Sequence, residues 1–369
     1  MSYRYLGNKA RIADWIASVV RDNVAPGSVI ADPMCGTATM SETFARSGFR
    51  VVASDELRFP TLHAKARLLP NGFKNFEPVA RSYLDAISRL NDAKPIRGFF
   101  WREYSDEGVP ANGSKPRRYF TGQNAARIDA ARQLIQGWRQ DGLPSDSCDL
   151  LLHDLILAAN RVANIAGTYG YYRSTWNKAS LERLKLEPTP VQRYSKVHSV
   201  MQGRVEDLAG EIEADAVYLD PPYTKRQYGG NYHILETIAL EDEPTPIGEG
   251  GLRDWYPQSS DFCYRRRARG AFAATLQSIS TPLVFLSYSE DAHLPSDELF
   301  ELLSDFGNVS RQLIQLERFR SNSRVAKKGS VEEHLYIVEM HHARPAETDR
   351  DMVSQDSSQR SLQHRKVAA

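Results

Sequence analysis

Hydrophobic positions in the first 60 residues alternate between helical and strand-like spacing. Residues 10–20 (ARIADWIASVV) have the apolar period of an amphipathic helix, which a turn at APGS ends. The short apolar run SVIADP then predicts a strand, residues 42–46 predict a helix, and FRVVASDE predicts a second strand. A strand, a glycine turn, a helix and a strand that ends in an acid are typical of half of a doubly wound nucleotide-binding sheet.

A similar pattern returns towards the carboxyl terminus. Three apolar runs, AVYL, PLVFLSYS and HLYIVEM, predict buried strands. Residues 271–279 and 297–306 have helical spacing and lie between the strands. The second half of the chain is therefore also expected to alternate strand and helix.

Between these halves, from about residue 57 to residue 204, the alternation is lost. The sequence there is mixed, basic and rich in tryptophan and tyrosine, with one clear helix at residues 151–167. We interpret it as an insertion in an α/β, Rossmann-like fold with a doubly wound mixed sheet. The predicted divisions are a cofactor-binding half at 1–59, an inserted basic subdomain at 60–204, a catalytic half at 205–340 and a polar, disordered tail at 341–369.

Composition and cysteine placement exclude several classes of protein. Of 369 residues, 41% are hydrophobic and 25% are charged, which is ordinary for a globular protein. The sequence has no run of about 18 apolar residues and no basic-then-apolar leader, so we expect neither a membrane span nor secretion. Cys35, Cys148 and Cys263 are far apart and form no CxxC pair. This argues against structural zinc and disulfides, and it favours a reducing cytoplasm.

Charge is segregated along the chain, although the net charge is only +1. Residues 160–204 carry eight Lys or Arg against two Glu, and residues 205–261 carry three Lys or Arg against thirteen Asp or Glu. Arg265, Arg266 and Arg267 follow directly. Such blocks are often only solvated faces, but two basic blocks around an acidic centre also suit a protein that grips a polyanion around an acidic pocket.

The glycine turn after the first strand, DPMCGTAT, is a candidate nucleoside site. Gly36 lets the backbone approach a ligand closely, and the next helix offers free N–H groups. Asp55 ends the following strand 19 residues later, which is the spacing at which a carboxylate accepts hydrogen bonds from ribose hydroxyls. The fingerprint GxGxxG is absent, which argues against a nicotinamide-dependent oxidoreductase. A single glycine turn also occurs for purely structural reasons.

Four motifs together resemble the Dam-like N6-adenine DNA methyltransferases. They are YLGNK at residues 5–9, DPMCGTA at the first turn, Asp55 beyond it, and DPPY at residues 220–223. Alone, Asp-Pro is also a common strand terminator, because proline cannot join a sheet ladder. The resemblance extends from about residue 3 to residue 339. It implies a methyltransferase fold that uses S-adenosyl-L-methionine (SAM) and methylates adenine N6 in a specific double-stranded DNA sequence.

Carried over residue by residue, the resemblance implies two groups of site residues and no metal. The cofactor-binding group is Tyr5, Gly7, Lys9, Asp32, Met34, Gly36, Asp55 and Asp207. Within it, Asp55 would hold the ribose and Asp207 would contact the adenine of the cofactor. The catalytic group is Asp220, Pro221, Pro222 and Tyr223.

The DPPY residues suit methyl transfer to an aromatic amine. The exocyclic amine of adenine is a poor nucleophile, because its lone pair is delocalised into the ring. The Asp220 carboxylate and the Pro221 carbonyl can accept its two N–H bonds and favour sp³ geometry, and preorganised acceptors need no rearrangement as positive charge develops. Tyr223 offers a face on which a flipped-out base stacks. Aspartate at the first position favours adenine over cytosine N4.

Basic residues near DPPY are candidate DNA contacts. Lys225 and Arg226 are interpreted as phosphate contacts or solvated side chains, and Arg265, Arg266 and Arg267 as contacts to the DNA backbone. The segments RQYGGNYHILETIA and LSYS resemble a type II modification-methylase branch, but the sequence attaches no mechanism to them.

One position departs from the family pattern, and some alternatives stay open. The family has FxGxG at the first turn, whereas Ala38 replaces the second glycine here, so this residue must avoid positive φ or accept strain of roughly 1–2 kcal/mol. An RNA adenine-N6 methyltransferase and a catalytically silent DNA-binding protein with the same fold are the other hypotheses. The sequence does not determine whether a cognate restriction endonuclease accompanies the protein.

Overall fold

Seven strands in the described part of the chain form one mixed sheet. The computed structural model describes residues 5–69, 75–190, 192, 194–317 and 330–341. The strands are β1 (Val29–Asp32), β2 (Arg50–Asp55), β3 (Ser199–Gln202), β4 (Ala216–Leu219), β5 (Leu283–Ser289), β6 (Gly307–Glu317) and β7 (Ser330–Met340). They lie in the order β3-β2-β1-β4-β5-β7-β6.

Parallel pairing joins the first five strands of this order. β1 pairs in parallel with β2 and β4, β2 with β3, and β4 with β5, whereas β7 is antiparallel to β5 and β6. The strand order reverses between β1 and β4. Open α/β sheets bind their ligands in the crevice at such a switch point. The predicted Rossmann-like, doubly wound mixed sheet is confirmed.

Helices connect the strands and cover both faces of the sheet. The α-helices are α1 (Ala13–Asn23), α2 (Thr39–Arg46), α3 (Arg58–Leu68), α4 (Tyr83–Asp92), α5 (Phe99–Tyr104), α6 (Gly122–Gln140), α7 (Ser145–Val162), α8 (Val205–Leu208), α9 (Tyr228–Asn231), α10 (His233–Leu240), α11 (Ala268–Ser278) and α12 (Ser296–Ser304). Across the described ranges, none of the helices has the length and apolar character needed to cross a membrane.

The central strands are buried on both faces. Ile30 and Val51 pack in a layer with α1 and α2, whereas their neighbours Ala31 and Val52 pack in the opposite layer with α8, α11 and α12. Successive residues of a strand point to opposite faces, so a strand covered on both sides is an unbroken apolar run. This explains why β1, β2 and β4 were recognisable in the sequence.

A third apolar cluster joins the insert to the segment that follows DPPY. It contains buried residues of α3 to α7 together with Tyr232, Ile234 and Ile238. Helix α10 contacts both α3 and α7. The region after DPPY therefore supplies part of the core on which the insert packs.

Several predicted boundaries do not coincide with the observed elements. The division after residue 59 falls inside α3, and β3, within the range predicted for the insert, is a strand of the main sheet. The helix expected at 151–167 runs from Ser145 to Val162. Strand β6 was not predicted. The tail predicted at 341–369 lies outside the described residues, apart from His341.

Candidate active site

A cleft opens at the carboxyl ends of β1, β2 and β4. Residues from the segments 5–9, 33–40, 55–57, 204–206, 220–228 and 258–262 line it. The structure thus brings YLGNK, the glycine turn, Asp55 and DPPY to one place.

The glycine turn is tied to the acid at the end of β2. Gly36 has φ +51°, and a Cβ atom there would lie 3.0 Å from the Tyr5 ring. Its N–H donates to Oδ2 of Asp55 at 3.0 Å, and the N–H of Leu57 donates to Oδ1 at 3.0 Å. Burial raises the pKa of Asp55 to about 7, although these hydrogen bonds lower it. The turn and the carboxylate therefore form one rigid wall of the cleft.

Ala38 adopts the strained conformation that the sequence left as one of two options. Its φ is 57°, in the left-handed region, and its side chain is fully buried. A residue with a Cβ atom in this region costs roughly 1–2 kcal/mol relative to the right-handed conformation. The turn therefore keeps the backbone shape that the missing glycine would favour.

Lys9 links the DPPY carboxylate to a second acid. Its Nζ lies 3.0 Å from Oδ1 of Asp220 and 2.6 Å from Oε1 of Glu333. Lys9 and Glu333 are each 6% exposed in their side chains, whereas Asp220 is 18% exposed. The ammonium group is thus enclosed between two carboxylates, and Asp220 alone of the three keeps an appreciable surface.

Burial and neighbouring charges shift the pKa values of Asp220 and Lys9. Burial raises the pKa of Asp220 to about 6, against the attraction of Lys9, while Glu333 raises it further. Burial lowers the pKa of Lys9, but Asp220 and Glu333 outweigh burial, and its pKa lies above the ordinary value. Near neutral pH, Lys9 is therefore charged and Asp220 is mostly ionised.

Tyr223 lies beside Lys9, and its ring packs against the ring of Tyr288. Its ring centroid lies 5.5 Å from Nζ of Lys9 and 6.0 Å from the ring of Tyr288, which meets it at 75°. Tyr223 is partly buried and lines the cleft with Pro221 and Pro222. The ring is therefore fixed at the cleft wall while part of its surface stays accessible.

Sequence reasoning missed Glu333. It lies on β7, opposite Ser289 of β5, and it also accepts a hydrogen bond from the hydroxyl of Ser287 at 2.8 Å. The predicted last strand began one residue after it, at residue 334. More than 300 residues separate Glu333 from Lys9, and no local spacing signals their contact.

The segment after DPPY holds the amino-terminal motif. Leu6 N–H donates to the hydroxyl of Tyr232 at 2.7 Å, and the hydroxyl of Tyr228 donates to the Leu6 carbonyl at 3.1 Å. The Tyr5 ring stacks on Tyr232 with centroids 4.8 Å apart. A Cβ atom on Gly7, which has φ +72°, would lie 3.2 Å from the Tyr228 hydroxyl. RQYGGNYHILETIA thus has a structural role that its sequence did not reveal.

Two predicted cofactor residues do not line the cleft. Asp207 is exposed on α8 and outside the lining, whereas its neighbour Glu206 lines it. Asp32 is buried below the turn, where its carboxylate accepts a hydrogen bond from the Ser41 hydroxyl at 2.5 Å. Met34 lines the cleft. The first turn of α8 presents Glu206 to the cleft, and the contact of Asp207 with the cofactor stays a prediction.

Arg204 forms ion pairs with two glutamates that line the cleft near α8. Its guanidinium lies 3.0 Å from a carboxylate oxygen of Glu56 and 3.6 Å from one of Glu206. All three residues line the cleft. Burial raises the pKa of Glu56 to about 7, and Arg204 opposes this rise.

The predicted DNA-contact residues are all exposed. Lys225 and Arg226 lie on the loop beside Tyr223, and Arg265 and Arg266 precede α11. Arg267 differs from them: it pairs with Asp261 at 3.1 Å, and its guanidinium lies 4.9 Å from the Tyr264 ring centroid. Their role in contacting DNA stays a prediction.

The acidic loop at 241–251, which follows α10, does not line the cleft. Arg253 pairs with Asp242 at 2.8 Å, and Arg139 of α6 pairs with Glu241. The buried Arg117 donates to the carbonyl of Glu249 at 3.0 Å. Arg139 and Arg117 belong to the insert and fasten the loop to it, whereas Arg253 follows the loop and pairs with its acid Asp242. The carboxylates of Glu241 and Asp242 are therefore paired, and residues 241–251 are absent from the lining of the cleft.

Several known proteins are similar to this chain over most of its length. The family described as D12 class N6 adenine-specific DNA methyltransferase matches residues 5–294. Type II methyltransferase M.NlaIII of Neisseria lactamica is 30% identical over 343 residues, which are 91% of this chain and 98% of that protein. Type II methyltransferase M.CviAII of Paramecium bursaria Chlorella virus 1 is 28% identical, with 90% and 97% covered. Type II methyltransferase M.FokI of Planomicrobium okeanokoites is 30% identical, with 90% and 52% covered.

Proposed function

Because this chain belongs to the family of D12 class N6 adenine-specific DNA methyltransferases, we propose that its cleft holds a target adenine beside the methyl donor, with Asp220 on the adenine amine. The protein is an enzyme that methylates adenine N6 in double-stranded DNA, with SAM as the methyl donor. Residues of the glycine turn would hold the donor, and residues of DPPY would hold the adenine.

The position of Asp220 is the observation that carries this proposal. Its Oδ1 is held by Lys9, and within the described residues its Oδ2 has no hydrogen-bond partner. The side chain is 18% exposed and lines the cleft. An acceptor that is fixed on one side and reachable on the other suits a ligand N–H group.

The residues of the glycine turn fit the methyl donor. Gly36 lines the cleft with a positive φ that favours glycine, and Asp55 lies beside it with both oxygens already oriented by backbone N–H groups. Asp55 would accept hydrogen bonds from ribose hydroxyls, and Tyr5 and Met34 would supply apolar contacts. SAM supplies an electrophilic methyl group on a sulfonium sulfur. The protein's part is to orient the two reactants in line.

Asp220 and the Pro221 carbonyl would accept the two N–H bonds of the adenine amine. This draws the nitrogen away from planarity and frees its lone pair for attack. The two prolines fix the direction of the carbonyl, because their rings restrict the backbone. As positive charge develops on the nitrogen, both acceptors are already in place, and such preorganised groups contribute on the order of a hundredfold or more in rate.

Tyr223 would stack on the flipped-out adenine. A base inside a duplex hides its amine in the base pair, so an enzyme acting on it must extrude the nucleotide. Stacking on an aromatic ring stabilises a free base by about 1–3 kcal/mol. The accessible surface of Tyr223, beside Asp220, is suited to this contact.

A type II modification role is the finer part of the proposal. Two relatives, which match 91% and 90% of this chain, are named type II methyltransferases. By analogy, this enzyme would modify one double-stranded sequence and protect it from a cognate restriction endonuclease, in the cytoplasm. The three cysteines are all free thiols, which suits a reducing compartment.

A transfer assay tests the proposal. Purified enzyme with tritiated SAM is expected to label unmethylated duplex DNA, and sequencing should find N6-methyladenine in one sequence context. Asp220→Ala should lower the rate at least about a hundredfold, with SAM affinity retained within a few-fold. Asp220→Asn, which keeps the size and one acceptor oxygen, is the matched variant. Label in RNA alone, or full activity of Asp220→Ala, would contradict the proposal.

A further inference from the structure

Glu333 is a buried acid that the reaction described above does not use. Its side chain is 6% exposed, and its Oε1 accepts from both Lys9 at 2.6 Å and the Ser287 hydroxyl at 2.8 Å. A buried carboxylate is costly unless it is paired. Glu333 lies on β7, the neighbour of β5, and contacts Lys9, which lines the cleft.

The lysine between the two carboxylates needs an anchor. A lysine side chain is a compact charge on a flexible stem, and by itself it does not choose between the two oxygens of a carboxylate. Glu333 is fixed by the antiparallel register of β7 with β5 and by the Ser287 hydroxyl. Lys9 Nζ lies closer to Glu333 than to Asp220, at 2.6 Å against 3.0 Å.

We propose that Glu333 is a positioning residue for methyl transfer: it holds the Lys9 ammonium on one oxygen of Asp220, so that the other oxygen accepts the N–H of the target amine. The inference rests on the proposed role of Asp220. Glu333 acts through Lys9 and does not touch either reactant.

The charge count explains why a second acid helps. Lys9 with Asp220 alone would be a neutral pair, and its attraction for positive charge would be weak. With Glu333 the trio carries a net charge of −1. The target nitrogen becomes positive in the transition state, so this net charge stabilises the transition state more than the bound substrate. Loss of the Glu333 charge should therefore lower kcat and leave KM nearly unchanged.

The charges of Lys9, Asp220 and Glu333 also determine how the rate of methyl transfer depends on pH. Asp220 must be ionised to accept the amine, so the rate rises with pH through the pKa of Asp220. The ionisable groups that face it are Lys9, Glu333, Asp32, Tyr218, Tyr223 and Tyr228. Burial raises the Asp220 pKa, Lys9 lowers it and Glu333 raises it. Removing Glu333 should move the acidic limb to lower pH, and removing Lys9 should move it to higher pH.

Single-turnover rates of the full-length enzyme, measured from pH 5 to pH 9, test the inference. Glu333→Gln is expected to lower the plateau rate about tenfold, with KM for SAM and DNA within twofold and the acidic limb at lower pH. Lys9→Gln should move the limb to higher pH. Glu333→Ala should be slower than Glu333→Gln, because glutamine still offers an oxygen to Lys9.

Two controls distinguish a positioning role of Glu333 from a purely structural one. Ser287→Ala removes one hydrogen bond of Glu333 but no charge, and its acidic limb should not move. Should Glu333→Gln fail to fold, Glu333→Asp takes its place, with an unmoved limb and a lower plateau as its carboxylate withdraws from Lys9. A lower melting temperature of Glu333→Gln with an unmoved limb, or a full plateau rate of either variant, would overturn the inference.

Asp220→Ala, assayed in parallel, tells the two possible failures apart. If Asp220→Ala is active, the proposed function of the site fails. If Asp220→Ala is inactive and Glu333→Gln behaves as the wild type, only the role of Glu333 fails.

Discussion

The hydroxyl of Tyr232 accepts a hydrogen bond from the backbone N–H of Leu6 at 2.7 Å, across 226 residues of sequence. Through this bond the helix pair after DPPY holds the amino-terminal segment that contains Tyr5 and Lys9. The Tyr5 ring lies next to Gly36 of the glycine turn, and Lys9 pairs with Asp220. The donor-binding wall and the candidate catalytic acid therefore depend on the same clamp.

Tyr232→Phe tests this clamp. The variant keeps the ring that stacks on Tyr5 but leaves the Leu6 N–H without its acceptor, which costs about 1 kcal/mol or somewhat more. We expect a corresponding loss of stability in urea and a several-fold weaker affinity for SAM by calorimetry. Tyr228→Phe is the matched control, because the Leu6 carbonyl it releases has two lone pairs and can turn to water. Unchanged SAM affinity in Tyr232→Phe would refute the coupling.

We predict different outcomes for substitutions at two nearby positions of the glycine turn. At Gly36 a Cβ atom would lie 3.0 Å from the Tyr5 ring, with φ +51°. Gly36→Ala should therefore lose about 1–2 kcal/mol of stability and bind SAM at least several-fold more weakly. At Ala38, with φ 57°, relief of strain in Ala38→Gly is offset by the buried methyl group lost, about 0.8 kcal/mol, and by chain entropy.

Ala38→Gly should accordingly stay within about 1 kcal/mol of the wild type and keep its SAM affinity. Urea unfolding and calorimetry on both variants make the comparison. A loss in Ala38→Gly as large as that in Gly36→Ala would show that strain at residue 38 has been overstated.

Local motifs and long-range contacts differed in how well the sequence predicted them. β1, β2 and β4 were recognisable because strands buried on both faces are continuous apolar runs. Asp55 and the DPPY residues could be placed because they lie where such strands end. Glu333 was missed because its contact with Lys9 depends on how β7 pairs with β5, and strand register between distant segments leaves no local signal.

Helix α8 illustrates the limit of carrying roles over by motif. Asp207 was assigned to the cofactor, yet Glu206 lines the cleft and Asp207 is exposed. Adjacent residues of a helix point about 100° apart. Since α8 is only four residues long, its sequence gives no periodic pattern from which the inward face could be chosen.

Asp154 predicts how stability depends on pH away from the cleft. It is buried on α7, where it accepts hydrogen bonds from Thr189 at 2.6 Å and from Tyr83. Burial raises its pKa to about 7, and these bonds only partly oppose the rise. The unfolded value is about 3.9. A raised folded pKa gives stability that is complete below the unfolded pKa and is lost as pH rises through the folded pKa.

Asp154→Asn is neutral at every pH and should remove this dependence. The difference in unfolding free energy between wild type and variant should change between about pH 4 and pH 7, by up to about 1.4 kcal/mol per pH unit. The wild type should lose stability relative to the variant as pH rises. Urea titrations at four pH values measure this, with methyl transfer as a check that the cleft is intact. A difference independent of pH would contradict the assignment.

The basic residues before α11 give a prediction about DNA. Arg265 and Arg266 are exposed and make no ion pair within the described ranges, whereas Arg267 is already paired with Asp261. An arginine that neutralises a phosphate releases condensed counterions, and its loss lowers the salt slope of binding by about 0.9. The double variant Arg265→Ala/Arg266→Ala should thus bind duplex DNA more weakly, with a slope of log K against log salt smaller by up to about 2.

Fluorescence anisotropy between 50 and 200 mM salt, roughly the range over which such contacts are lost, measures the slope. Arg267→Ala is the matched control and should change it less. Equal slopes in wild type and double variant would place the DNA backbone elsewhere on the surface.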